Sequence, residues 1–160
     1  MAILKSDIIE AKDSLSISDK AKVDGDKTGA TVLQATATYV TKAGLASGDI
    51  IEITDLPPTA VVVPELSYLS FGYREYVYDN AQVSVDLGYK GDTTAARFGT
   101  AQLSVNGGSI HSAFGYNASL IGLKVAAPLK ETTRLVGKIN SLSVQPGTEL
   151  VFGISYRIKG

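Results

Sequence analysis

GDIIEITDLPPTAVVVPEL (48–66), SYLSFGYREYVY (67–78) and AQVSVDLGYKGD (81–92) make up the stretch Gly48 to Asp92, whose reading decides the fold. Two apolar, β-branched runs, Ile50 to Ile53 and Ala60 to Val63, flank Leu56-Pro57-Pro58. Two prolines in a row fix two φ angles and remove two N–H donors, so the triplet cannot sit inside a central strand. The reading is strand, sharp corner, strand. Further on, Val83, Val85 and Leu87 alternate with Ser84, Asp86 and Gly88. That is period 2, a sheet with one buried and one wet face.

The same period recurs outward from this stretch. Thr31 to Thr41 is strand-like in propensity, and Lys42 to Gly48 is a turn leading into it. Asn106-Gly107-Gly108 predicts a turn closing a hairpin between Ala101 to Val105 and Ser109 to Phe114. Ile121, Leu123 and Val125 alternate with Gly122 and Lys124, and Arg134 to Ser143 supplies another strand. After Pro146-Gly147, Leu150, Phe152, Ile154, Tyr156 and Ile158 face one way and Val151, Gly153, Ser155, Arg157 and Lys159 the other. Seven to nine short strands without a long helix predict an all-β antiparallel β-sandwich over residues 31–160. Eight strands in two Greek keys suit a jelly roll; an immunoglobulin-like topology is the alternative that strand counting leaves open.

Residues 1–30 differ from the rest. Ser6, followed by Asp7 and Glu10, is placed to cap a short helix. The run DKAKVDGDK (19–27) mixes both charges around one valine and one glycine and reads as an extended arm, ordered on a neighbouring subunit or not at all. Only Met1, Ala2, Ile3 and Leu4 precede Lys5, too few for the apolar core of a signal peptide, which predicts folding in a cytoplasm. No run approaches the length of a membrane span.

Composition removes several chemistries. The chain has no cysteine, so disulfides, thiolate metal sites and thiol catalysis are excluded, and one histidine excludes a multi-histidine centre. Fifteen basic against sixteen acidic residues, with neither sign gathered into a block, disfavours nucleic acid or anionic lipid as partner. No cofactor is expected. His111 is the sole candidate general base, but neither Gly107-Gly108-Ser109 nor Ala46-Ser47-Gly48 forms a nucleophile elbow, so no catalytic residue is assigned. Asp86 with Asp92, and Asp24 with Asp26, offer carboxylates near glycines but lack calcium-loop spacing and read as turn chemistry. Gly25-Asp26-Lys27-Thr28 lacks the upstream glycine of a phosphate loop, and Asn117-Ala118-Ser119 matches a glycosylation sequon without an export signal. The aromatic run carries more weight. Tyr68, Phe71, Tyr73, Tyr76 and Tyr78, interleaved with Arg74, supply the rigid, polar-tipped area that dominates protein interfaces. Stacking on sugars, or simply closing one end of the sandwich, are the other uses of such residues.

The threonine- and alanine-rich first strand ending in Tyr39, the segment GLASGDIIEITDLPPTAVVV (44–63) and the segment SVDLGYKGD (84–92) together resemble small tailed-phage proteins that decorate or cement the capsid. The charged arm and the double proline depart from that pattern, and the resemblance covers about residues 35 to 95. It implies a jelly roll on the exterior of a virion, made in the host cytoplasm. It also implies a non-enzymatic, homo-oligomeric protein, dimer or trimer, that binds the major capsid protein. In that setting Tyr68, Phe71, Tyr73, Arg74, Tyr76 and Tyr78 are the expected partner-binding residues. A carbohydrate- or receptor-binding domain of a phage tail or fibre is the alternative.

Overall fold

The strands divide between two sheets. In chain order they are β1 (Ile3–Lys5), β2 (Val32–Val40), β3 (Ile50–Leu56), β4 (Ala60–Val62), β5 (Tyr68–Phe71), β6 (Gln82–Tyr89), β7 (Thr100–Ser104), β8 (His111–Ala113), β9 (Thr133–Ser143) and β10 (Glu149–Ile158). The structure, a computed structural model, describes residues 1–7, 9–10, 32–72, 81–92, 96–108, 110–115 and 128–158. One sheet runs β1-β3-β9-β6-β7 and the other β2-β10-β5-β8, with β4 also paired to β10.

With β1 and β4 set aside, the first of the eight remaining strands lies beside the last, the last beside the third and the third beside the sixth. In the other sheet the second lies beside the seventh, the seventh beside the fourth and the fourth beside the fifth. These are the two wrapped Greek keys of a jelly roll. An immunoglobulin-like sandwich pairs its first two strands, whereas here they lie in different sheets.

Alternation places the core. Val83, Val85 and Leu87 of β6, Ile51 and Ile53 of β3 and Leu135 and Ile139 of β9 are buried from one sheet, and Leu150, Phe152 and Ile154 of β10 from the other. Gly137 of β9 lies against the core, where a side-chain carbon would lie 2.8 Å from Val85 Cγ1 of the neighbouring β6 and 3.4 Å from Phe152 Cε1 of the facing sheet. Only glycine fits there without repacking. Register shifts between Glu52 and Thr54, a bulge that puts both Ile53 and Thr54 on the buried side and leaves Glu52 and Asp55 facing outward beside β9.

The proline corner forms as predicted. Ala60 N–H donates to Pro57 O (3.2 Å), and Thr59 takes a left-handed φ of 66°. β4 and β5 both lie against β10, separated by a 3₁₀ turn at Pro64–Leu66. Two serines bridge the interruption. Ser155 N–H donates to Ser67 Oγ (3.0 Å), the Ser67 hydroxyl donates to Val63 O (3.0 Å), and the Ser155 hydroxyl donates to Leu66 O (3.0 Å).

Two expectations are corrected. The turn at Val105 to Gly108 exists, with Gly108 N–H on Val105 O and φ of +74°, but it does not close a hairpin. β7 pairs with β6 and β8 with β5, in opposite sheets. A turn dictates that the chain reverses, not which sheet receives it. The sandwich also does not begin near residue 31. Ile3–Lys5 pairs with Ile50–Glu52 in parallel, Ser6 N–H donates to Glu52 O (2.7 Å), and Ile9 is fully buried. Ser6 does cap the helical turn that follows, accepting from Ile9 N–H (3.4 Å) while its hydroxyl donates to Ile53 O. The charged run 19–27 and the alternation at Ile121 to Val125 lie outside the described residues.

Candidate interaction surfaces

The aromatic run does not act as one unit. In β5, Leu69 points into the core, which turns Tyr68 and Ser70 outward and brings Phe71 back to the core's edge. Tyr68 lies directly across from Gly153 on β10, where any side chain would collide with its ring. On its other flank it stacks on His111 of β8, ring centroids 4.6 Å apart at 28°. The β5–β8 register, Ser70 to His111 and Tyr68 to Ala113, makes them diagonal neighbours. The outer face of the β2-β10-β5-β8 sheet thus carries a fixed Tyr–His pair. Tyr73, Arg74, Tyr76 and Tyr78 lie outside the described residues, in the connection from β5 to β6. His111 is exposed and engaged with an aromatic ring.

The opposite outer face, on β1-β3-β9-β6-β7, is charged. Arg134 on β9 holds Asp55 through two bonds, Nε to Oδ1 (2.8 Å) and Nη2 to Oδ2 (3.1 Å), and reaches Glu52 Oε2 with Nη1 (2.8 Å). Lys90 Nζ meets the same Glu52 oxygen at 3.2 Å. Only 2% of the Glu52 side chain is exposed, against 51% of Lys90's. Burial alone would raise the Glu52 carboxyl; hydrogen bonds from Arg134 and Lys90, together with their charges, outweigh it and hold the group below the usual carboxylate range. The bond to Asp55 is the main reason the Arg134 guanidinium is held still more firmly protonated than usual. Beside this network Arg97 pairs with Asp92 and sits 5.8 Å over the Tyr89 ring, which packs edge-on against Phe98.

The carboxylate pair singled out for a cation is used otherwise. Asp86 accepts from Thr100 Oγ1 and Asn140 Nδ2, and Asp92 is taken by Arg97. Among the described residues no cluster of His, Cys, Asp and Glu is arranged to hold a metal, and no helix is long and apolar enough to cross a membrane.

Sequence reasoning missed Asp49. Its carboxylate accepts from Ala2 N–H (2.9 Å) and Ala46 N–H (3.0 Å), joining the start of β1 to the turn before β3. The backbone donor of Ala2, then that of Ala46, lowers its pKa against the opposing effect of burial. The available signal is the Gly48-Asp49 pair directly before a strand, just past the turn at Lys42 to Gly48.

These elements define a jelly-roll sandwich with one aromatic and one ion-paired outer face. No protein-family model matches the chain, and no curated protein sequence matches it. Among solved structures, a chain in the capsid of Ralstonia phage GP4 shares the fold with a TM-score of 0.63 at 17% identity, with 99% of each chain covered. A chain in the acid-stable capsid of Helicobacter pylori bacteriophage KHP30 gives 0.53 at 16% identity, over 82% of this chain and 90% of that one. A chain from the cyanophage Pam1 capsid gives 0.57 at 13% identity, over 84% and 90%.

Proposed function

We propose that this chain is a non-enzymatic structural protein of a phage virion that decorates the capsid exterior and strengthens the shell by binding its major capsid protein. The observation that carries this reading is the end-to-end likeness of fold to a chain from the GP4 capsid, with likeness to chains from two other phage capsids beside it. The aromatic run supplies the contacts in this reading: Tyr68 from the sheet, and Tyr73, Arg74, Tyr76 and Tyr78 from the connection that follows. A small homo-oligomer, dimer or trimer, repeats them, so that weak single contacts add through multivalency.

A sugar-binding tail or fibre domain would use the same residues as a stacking platform. Mixing the purified chain with undecorated capsids, and separately with a glycan panel, tests both. Saturable capsid binding, weakened by Tyr73→Ala and Tyr76→Ala by roughly 2 kcal/mol each, is the expected result. Glycan binding without capsid binding rejects the proposal, and normal capsid binding by both variants rejects the contact assignment.

A further inference from the structure

β2 is an outermost strand of its sheet: β10 lies on one side and, among the described strands, nothing lies on the other. The register fixes where its backbone groups point. Thr41 N–H donates to Thr148 O (2.9 Å), one step past the Val40–Glu149 pair, so the odd-numbered residues of β2 bond to β10 and the even-numbered ones turn N–H and C=O the other way. Thr38 N–H, held by Asp7 Oδ1 at 2.9 Å, agrees with that parity and closes the later part of the edge. Val32, Gln34 and Thr36 remain, exposed, with their outward backbone groups facing no described strand.

Natural edges are ordinarily blunted by lysine, proline or a bulge. β2 has no charged residue, no proline and no break in its register with β10. Its open part is also self-complementary. Antiparallel pairing of two copies about a dyad at Gln34 sets Gln34 against its own copy and Val32 against Thr36, every pair exchanging both N–H···O=C bonds and no like charges opposed. Pairing centred on Thr36 is barred, because it needs the Thr38 N–H that Asp7 holds. A strand whose open part is its own complement across a two-fold axis fits a second copy of itself.

We infer that two copies of this chain dimerise edge to edge through Val32, Gln34 and Thr36, joining their β2-β10-β5-β8 sheets into one continuous sheet. The dyad stands perpendicular to that sheet, so the Tyr68–His111 pairs of both copies look the same way. They lie five strand spacings, or about 24 Å, apart measured across the strands. The pairing is a property of the free chain and does not rest on the capsid reading; where that reading holds, it presents the aromatic surface twice on one face.

The test is sedimentation equilibrium of the full chain, whose mass should rise from that of one copy toward that of two as concentration approaches about 1 mM. Gln34→Lys opposes two ammonium groups at the dyad and should weaken association at least about five-fold, with an unchanged Tm reporting an intact fold. The chain has no cysteine, so a single introduced thiol reads the geometry directly. In Gln34→Cys the paired Cα atoms stand about 5.5 Å apart, within disulfide reach, and diamide, taking up the two thiol hydrogens, should link the copies. Val40→Cys, on the same strand, holds its copies about 40 Å apart and should link far more slowly. A chain that stays monomeric at about 1 mM, a dimer that Gln34→Lys leaves intact, or linkage at position 34 no faster than at position 40 overturns the inference. Capsid binding by a chain that stays monomeric separates that failure from failure of the proposed function.

Discussion

Asp7 Oδ1 accepts a hydrogen bond from the backbone N–H of Thr38 at 2.9 Å, on the edge of β2 that faces away from β10. The segment bearing Asp7 is at the same time paired through β1 to β3 of the opposite sheet. The segment from Ile3 to Asp7 therefore spans one open side of the sandwich. On the other side, Ser112 Oγ of β8 accepts from Gln102 N–H of β7 at 3.3 Å. Each side thus blunts an exposed strand edge with a side chain from the facing sheet.

Removal of residues 1–10 is expected to destabilise the free domain, because it exposes the site of fully buried Ile9 and strips β3 of a partner. The loss should be about 3 kcal/mol or more, or about 10 °C in Tm for a domain of this size. Asp7→Ala alone should cost about 1 kcal/mol. Differential scanning calorimetry checks both, and an unchanged Tm on deletion would mean the segment contributes nothing to the fold.

Arg134→Ala should be among the most damaging substitutions outside the core. It leaves Asp55 without its two-point partner and Glu52 buried with Lys90 alone. About 2–3 kcal/mol is expected, less than for a fully buried pair stripped of its only partner. Urea denaturation should show Arg134→Lys recovering only part of it, since an ammonium cannot grip Asp55 at two points. Full recovery would reduce the site to simple charge neutralisation.

Tyr39 is 4% exposed, and its hydroxyl has no hydrogen-bond partner among the described residues. Burial, with the nearby charges of Asp49 and Glu10, raises its pKa. Tyr39→Phe removes an unsatisfied group and keeps the ring, so it should stabilise the chain by about 1 kcal/mol. A loss of stability on chemical denaturation would contradict the orphaned hydroxyl.

Acid should weaken the N-terminal seam. Asp49 and Glu52 both have pKa values lowered by folding. Their stabilisation is complete above the unfolded carboxylate value of about 4 and is lost as pH falls through the lower folded values. Tm of the wild type minus that of Asp49→Asn should be constant from neutrality to about pH 4 and shrink below it. A difference independent of pH would rule out the Asp49 contribution.

Where one residue's neighbours decide its state, the fold was legible. Val83, Val85 and Leu87, and Leu150 through Ile158, announced two central strands by alternation, and Pro57-Pro58 announced the corner between β3 and β4. β1 was hidden because Ile-Leu-Lys is too short to show a period and its partner lies 47 positions away. Glu52 sits inside the apolar run Ile50 to Ile53 with nothing near it in sequence to pair its charge; its burial depends on Arg134, 82 residues on. The aromatic surface was half legible. Alternation tells Tyr68 from Leu69, but the pairing that stacks Tyr68 on His111 joins strands whose order only the complete sandwich defines.

β10 lies at the centre of its sheet, between β2 on one side and β4 and β5 on the other. It also follows β2 by more than a hundred residues along the chain. At ordinary elongation rates, about 5–20 residues per second, β2 waits roughly 6–24 s for β10, its one sheet partner among the described strands. During that interval the strand must stay soluble with both edges open. Its composition suits the delay: alanines at 35 and 37 and threonines at 36 and 38 give a sheet former with little to stick to. The jelly roll is thus a structure whose first strand is written for patience, and a chain cut anywhere before β10 has no centre around which that sheet can close.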